Sequence, residues 1–324
     1  MSADEIIADT ELPSFEEWPP VLAEAPPPPR FVLWPRLWTV FVAYGAAFVA
    51  MIILPALFAI IALIWMAGTG SDPRHLKNDF ASIISTPGGF LTLAGLGQLG
   101  IGLTPIAAAW FSPEPMTQRL GIGRPSLPLW AYPVVTVGSL FPFAIGAMLA
   151  TALMNLLAPN AENHFDGLLN QMHGGWTVAF ILFISLSPGL TEELLFRGYI
   201  QRRLLERFSP GAGIWLSTIL FAVIHVIPLQ VVLTLVIGPW LGVIAWRTGS
   251  IWPSAICHAF CNAASMIYQF GIRGEMIPRE IPTPVLAWTG GIVVGCFLLS
   301  VWILARVKPL NPYSSSSRSL ASTV

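Results

Sequence analysis

The chain has 324 residues, of which 55% are hydrophobic and only 10% are charged, and its mean hydropathy is +0.70. Soluble domains carry roughly 25% charged residues, so this composition excludes an ordinary globular protein and indicates one that lies in a lipid bilayer. The formal net charge of −1 provides no overall basic field, and we therefore expect no nucleic-acid partner.

The first predicted element is a tail. Residues 1–36 contain seven acidic side chains and the run APPPPR, and acidic, proline-rich sequence buries too little apolar surface to fold alone. We predict that this segment is disordered. Residues 307–324, which include NPYSSSSRSLASTV, are polar and rich in serine, and we predict that they form a second disordered tail.

Between the tails lie eight apolar stretches that approach or exceed the ~20 residues of a membrane-spanning helix. They are predicted at 37–66, 88–111, 129–157, 176–208, 211–227, 229–247, 250–270 and 284–306. The predicted fold class is therefore all-α: a polytopic integral membrane protein with about eight transmembrane helices. The first three helices form an N-terminal group over 37–158, and the last stands alone at 284–306.

The basic residues predict the orientation of these helices. With eight spans, both tails share one side of the membrane with the second, fourth and sixth loops. Leaving out Arg197, that side holds eleven lysine and arginine residues and the other side holds four, at 74, 77, 273 and 279. Basic residues concentrate on the cytoplasmic side, so both termini are predicted to be cytoplasmic.

Three charged residues interrupt the fourth apolar stretch, in the sequence SPGLTEELLFRGYIQRR. A charge inside a bilayer costs several kcal/mol and is usually paired or functional. Glu193 and Arg197 have i,i+4 spacing, which predicts a structural ion pair. Glu192 lies about 100° around the helix from Glu193, so it needs a partner from another helix. Ser187 followed by Pro188 is typical of a helix start, and we expect the helix to kink or restart there.

Candidate partners for Glu192 lie in the fifth and seventh stretches. His225 and Glu192 lie about 21 Å and 26 Å along their helices from the turn that joins them, so the two side chains can reach a similar depth. His258 is the other histidine in this region, and Asn262 follows it on the same helix face. A lone histidine in an apolar helix is more often structural. Together, however, these groups suit hydrolysis, in which a base activates water and donors stabilise an oxyanion.

The stretches EELLFR, FAVIH and HAFCN resemble the three motifs of the CAAX protease and bacteriocin-processing (CPBP) family, EExxxR, FxxxH and HxxxN or HxxxD. This family includes the type II CAAX prenyl endopeptidases and proteins similar to lysostaphin resistance protein A. All three motifs occur in order on successive predicted helices. The resemblance covers about residues 176–270, which we therefore predict to be the catalytic core, with four transmembrane helices.

The resemblance implies an intramembrane endopeptidase and a role for each motif residue. Glu192 and His225 would activate water, His258 and Asn262 would hold the oxyanion, and Glu193 and Arg197 would support the site. The substrate would be a membrane-associated protein or peptide, possibly lipidated. The short soluble segments favour a relative in a bacterial cell membrane.

Three alternatives stay open at this point. No cofactor is favoured, but Glu192, His225 and His258 are also a valid zinc ligand set, although no HExxH motif is present. A catalytically silent relative would act as a membrane scaffold, an immunity protein or a regulator. A proton-coupled transporter would also place charges in the membrane, but transporters usually contain internal repeats, and we find none in the sequence.

Overall fold

The structure is a computed structural model, and it describes residues 37–69, 72, 75–158, 165–278 and 280–307. The side chains of Lys77, Phe165 and Asp166 lie outside that description. The predicted disordered tails, 1–36 and 307–324, also lie outside it, except for Val307.

The described residues form α-helices and one π-helix, and no strand occurs among them. In chain order the helices are α1 (Trp38–Gly68), α2 (Leu76–Ile84), α3 (Pro87–Trp110), α4 (Met116–Arg119), α5 (Ala131–Gly138), α6 (Leu140–Leu157), α7 (Phe165–Leu169), α8 (Gly175–Glu193), the π-helix (Leu194–Gln201), α9 (Arg202–Leu205), α10 (Pro210–Val223), α11 (Pro228–Thr248), α12 (Trp252–Arg273) and α13 (Thr283–Arg306). The all-α prediction is confirmed.

Six helical segments in the described part of the chain are long and apolar enough to cross a membrane. They are Trp38–Gly68, Pro87–Trp110, Ala131–Leu157, Gly175–Leu205, Pro228–Thr248 and Thr283–Arg306. The other two predicted spans are also helices, but α10 has only 14 residues, and α12 is not among the six segments. A polytopic membrane fold is thus confirmed, whereas the number eight stays a prediction.

Small residues bring the site-bearing helices close together. A Cβ atom at Gly189 of α8 would lie 2.9 Å from the Cβ of Ala259 on α12, and one at Gly238 of α11 would lie 2.7 Å from Thr218 Cγ2 on α10. Helices in a bilayer associate through this kind of close contact because lipid is as apolar as their side chains. The packing places α8, α10, α11 and α12 around one interior space.

Of the two outcomes expected at Ser187 and Pro188, the restart is wrong, because α8 continues through both residues, and the kink stays a prediction. Proline lacks a backbone N–H, so Pro188 cannot bond to the carbonyl of Ile184 four residues earlier. Asn262 Nδ2 on α12 donates to that carbonyl oxygen instead, at 3.3 Å. A side chain from a neighbouring helix thus satisfies the carbonyl that the proline frees, and α8 stays intact.

Candidate active site

A cavity of about 510 Å³ lies between the helices, and its wall is mainly apolar. Phe180, Ile184 and Leu233 are among the apolar side chains that line it. The polar lining includes five side chains that converge from four elements of the fold: Gln98, Glu192, His225, His258 and Asn262. The cavity therefore contains all four residues predicted to be catalytic.

The carboxylate of Glu192 faces both histidines with one oxygen. His225 Nε2 and His258 Nε2 each lie 3.9 Å from Glu192 Oε2. This distance is too long for a direct hydrogen bond and suits groups that share one small molecule between them. Within the described residues, Oε2 has no hydrogen-bond partner, although Glu192 is only 6% exposed.

His225 lies just beyond the end of α10, which finishes at Val223 rather than continuing through the predicted span to 227. Its Nδ1 lies 2.8 Å from the carbonyl oxygen of Phe221. A carbonyl only accepts, so Nδ1 carries the hydrogen, and Nε2 of the neutral ring presents a lone pair towards Glu192. The turn after the helix thus selects one tautomer of the histidine.

His258 is held by the buried pair that the i,i+4 spacing predicts. Arg197 Nη1 lies 2.9 Å from Glu193 Oε1, and His258 Nδ1 lies 3.1 Å from the same oxygen. The glutamate is completely buried and the arginine side chain is 1% exposed. Glu193 therefore orients His258 so that its Nε2 points at Glu192.

The ring of Phe221 contacts Arg197, His225 and His258. The guanidinium carbon of Arg197 lies 4.3 Å from the centre of its ring, in cation–π geometry. The rings of His225 and His258 contact the same phenylalanine edge to face, with centroid distances of 5.0 Å and 5.8 Å. One buried aromatic side chain thus fixes the relative positions of the three groups.

Asn262 lies in the cavity wall one helical turn after His258. One N–H of its amide is used in the bond to the Ile184 carbonyl. An asparagine side chain has two N–H donors, so a second remains for a bound molecule. The residue therefore combines a structural contact with an available donor.

Glu192, His225 and His258 have side chains of the types that bind zinc. Zn²⁺ bonds to nitrogen and oxygen at about 2.0–2.2 Å, so tetrahedral ligand atoms lie about 3.4 Å apart. Both histidine nitrogens are 3.9 Å from the glutamate oxygen, and no three side chains of His, Cys, Asp or Glu in the described residues are grouped closely enough to hold a metal ion. The residue types are right for zinc, but their spacing does not fit it.

One site residue was missed in the sequence. Gln98 on α3 donates from Nε2 to Glu192 Oε1 at 3.2 Å, although the first three predicted spans contain no recognised motif. Its signal was weak but visible: it is the only amide or charged side chain in the apolar helix Pro87–Trp110. Such a residue in a membrane helix usually has a polar partner on another helix.

Comparison with protein families identifies the segment that holds this site. Residues 174–264 match the family model described as "Type II CAAX prenyl endopeptidase Rce1-like".

This segment is similar to Rce1-like domains.

The resemblance to the CPBP family that the three motifs indicate is thus confirmed. The matched segment contains all six residues predicted from the motifs, and Gln98 lies outside it. No curated protein and no solved structure matches the chain.

Proposed function

We propose that this chain is an intramembrane endopeptidase of the CAAX protease type, in which Glu192 and His225 activate a water molecule. The observation that carries the proposal is the convergence of two histidine Nε2 atoms on one carboxylate oxygen, each at 3.9 Å, inside a largely apolar cavity. The similarity to Rce1-like domains supports peptide hydrolysis as the reaction.

A water molecule at this point donates one hydrogen to Glu192 Oε2 and the other to the lone pair of His225 Nε2. Its own lone pair then faces the cavity. As the water oxygen attacks the carbonyl carbon of a peptide, a proton passes to Glu192 and the carbonyl becomes a tetrahedral oxyanion. The C–N bond then breaks, and Glu192 returns the proton to the leaving amine. The products are a carboxylic acid and an amine, and the proton of the acid passes to the amine, which leaves a carboxylate and an ammonium group.

The oxyanion is stabilised by donors on α12. In its doubly protonated form, His258 keeps Nδ1–H on Glu193 and directs Nε2–H into the cavity, and the second amide hydrogen of Asn262 points to the same region. Donors of this kind are effective because they are held in place before the charge develops.

The surroundings of the site support a membrane-associated substrate. The cavity has an apolar wall, and three of the helices that line it, α3, α8 and α11, belong to segments long and apolar enough to cross a membrane. A membrane-associated protein or peptide, possibly lipidated, can place both an apolar segment and a peptide bond there. We also propose that both termini are cytoplasmic, because eleven basic residues lie on their predicted side against four on the other, and that the membrane is a bacterial cell membrane.

The experiment is peptide hydrolysis in liposomes, followed by mass spectrometry, with prenylated and unprenylated peptides compared. Glu192→Gln and His225→Ala should abolish cleavage. His258→Ala and Asn262→Ala should lower turnover roughly 100- to 1000-fold, as loss of one oxyanion donor does elsewhere. Glu275→Gln is the matched control, since it makes the same chemical change at an exposed position, and it should keep wild-type activity.

Three results would overturn the proposal. Wild-type turnover in Glu192→Gln would remove the glutamate mechanism. The inactive variant Glu192→Gln can also be used to capture membrane peptides that bind the site. If the folded wild-type protein cleaves none of the captured peptides, a scaffold, immunity or regulatory role is favoured. Proton uptake by liposomes that depends on Glu192 but leaves every peptide intact would favour a transporter.

A further inference from the structure

Gln98 is the part of the site that neither the motifs nor the matched segment accounts for. It lies near the middle of α3, 76 residues before the matched segment begins at residue 174. Its side chain is half-buried and its amide reaches the glutamate across the α3–α8 interface. A contact with the proposed base is therefore made from outside the matched segment.

The orientation of this amide is set by a third residue. The hydroxyl of Thr191, the neighbour of Glu192, donates to Gln98 Oε1. An amide has an acceptor oxygen and a donor nitrogen on the same carbon, so a donor on the oxygen side turns the nitrogen towards Glu192. The Thr191 hydroxyl also lies 2.9 Å from the carbonyl oxygen of Ser187, so its single hydrogen is shared between that oxygen and Gln98 Oε1, while Gln98 Nε2 donates to Glu192.

The contact distinguishes the two oxygens of Glu192. Oε1 accepts from Gln98, whereas Oε2 faces the two histidines. The terminal torsion of a glutamate side chain has broad preferences, so intrinsic geometry does not fix the plane of the carboxylate. A directed bond to one oxygen does, and it determines where the other oxygen lies.

The backbone of α3 is shaped to allow this approach. A Cβ atom at Gly102 would lie 2.9 Å from Thr191 Cγ2, and one at Gly95 would lie 3.6 Å from the ring of Phe183. Both neighbours belong to α8. Glycines thus face α8 on either side of Gln98. The distance at Gly95 is an ordinary contact, whereas a side chain at 102 would press on Thr191, so the absence of a side chain at 102 lets α3 approach α8 closely.

We propose that Gln98 is a positioning residue, which holds Glu192 so that Oε2 meets the attacking water. This inference rests on the proposed function. It extends the working site beyond residues 174–264 and gives α3 a role in the reaction, with Thr191 as the group that orients the glutamine.

The test compares Gln98→Met, which keeps the length of the side chain but cannot donate, with the wild-type enzyme in liposomes. We expect kcat to fall roughly 10- to 100-fold, the size of effect that a small misplacement of a reacting group has, while KM changes by less than about twofold. Thr191→Val should lower kcat in the same direction. In the Gln98→Met background it should add no further loss, because the orienting bond then has no target.

Thr104→Val is the control on the same helix. Within the described residues the Thr104 hydroxyl donates to the carbonyl oxygen of Gly100 on its own helix. This change therefore removes a polar atom from α3 without affecting the site, and kcat should stay at the wild-type value. Wild-type kcat in Gln98→Met, or a loss confined to KM, would overturn the positioning role. The second result would instead make Gln98 a substrate contact.

A readout without turnover separates this inference from the proposed function. The carboxylate stretching band of Glu192 can be isolated by subtracting the infrared spectrum of Glu192→Gln from that of the wild type. Loss of the hydrogen bond in Gln98→Met should shift that band, and the shift should vanish in the double variant with Glu192→Gln. An unshifted band would refute the contact, even in an active enzyme. A shifted band in a protein without hydrolytic activity would refute the protease and leave the hydrogen bond established.

Discussion

Replacing Arg197 by methionine should strongly destabilise the protein, and the structure explains why. The variant keeps most of the apolar stem but removes the cation 2.9 Å from Glu193 and the hydrogen bond from Nη2 to the carbonyl of Gly238 at 3.1 Å. It also removes the cation from the face of Phe221. The contact with Glu193 is mainly Coulombic, since Nη1 makes no aligned hydrogen bond within the described residues.

The magnitude follows from the burial of both partners. Glu193 is 0% exposed and Arg197 is 1% exposed, so removing the arginine leaves the buried carboxylate without its permanent cation and with only the contact to His258. Breaking a buried pair in this way costs about 3–5 kcal/mol, which corresponds to a roughly hundred- to several-thousand-fold change in the unfolding equilibrium. Arg124→Met makes the same substitution at an exposed residue and should change the free energy of unfolding by less than about 0.5 kcal/mol.

The assay is equilibrium unfolding in detergent micelles by titration with a denaturing surfactant, read from tryptophan fluorescence. The decisive comparison is the double variant Glu193→Gln with Arg197→Met, which removes both charges. Because the cost in the single variant comes from a stranded carboxylate, the double variant should be more stable than Arg197→Met alone. A double variant that is equally or less stable would refute the reasoning, and the destabilisation would then come from lost packing.

The other expected outcomes concern packing, metal dependence and topology. Gly102→Ala places a Cβ atom 2.9 Å from Thr191, so α3 must shift and turnover should fall at least about tenfold. Gly45→Ala is the control, because it adds a Cβ atom in open space. Equal activities in the two variants would contradict the prediction. Enzyme stripped of metal by a chelator, and checked by elemental analysis, should keep full turnover, whereas loss of activity that zinc restores would show that the spacing tightens around a metal. The orientation can be tested with single cysteines in a chain without its native ones. Glu275→Cys, in a loop predicted to be external, should react with an impermeant maleimide in intact cells, whereas Ser126→Cys, in a loop predicted to be cytoplasmic, should react only after permeabilisation. Reversed labelling would contradict the eight-span orientation.

The sequence by itself determined where the chain can lie and which residue types meet in it. The apolar stretches predict helices at nearly the observed positions because an unpaired backbone group in lipid costs several kcal/mol, which leaves the helix as the default. The spacing of Glu193 and Arg197 predicts their ion pair because it depends only on local helix geometry. The three motifs similarly predict that Glu192, His225, His258 and Asn262 line one space.

Contacts between distant elements were decided only by the tertiary structure. Gln98 and Glu192 are 94 positions apart, and nothing in the periodicity of either helix predicts that they meet. Asn262 bonds to the Ile184 carbonyl, 78 positions away, and so spares α8 the interruption that Pro188 suggests. The physical reason is that both bonds depend on how closely two helices approach and on their rotation about their axes. Small residues such as Gly102 and Gly189 permit that approach, but only the packed bundle shows which neighbour they admit.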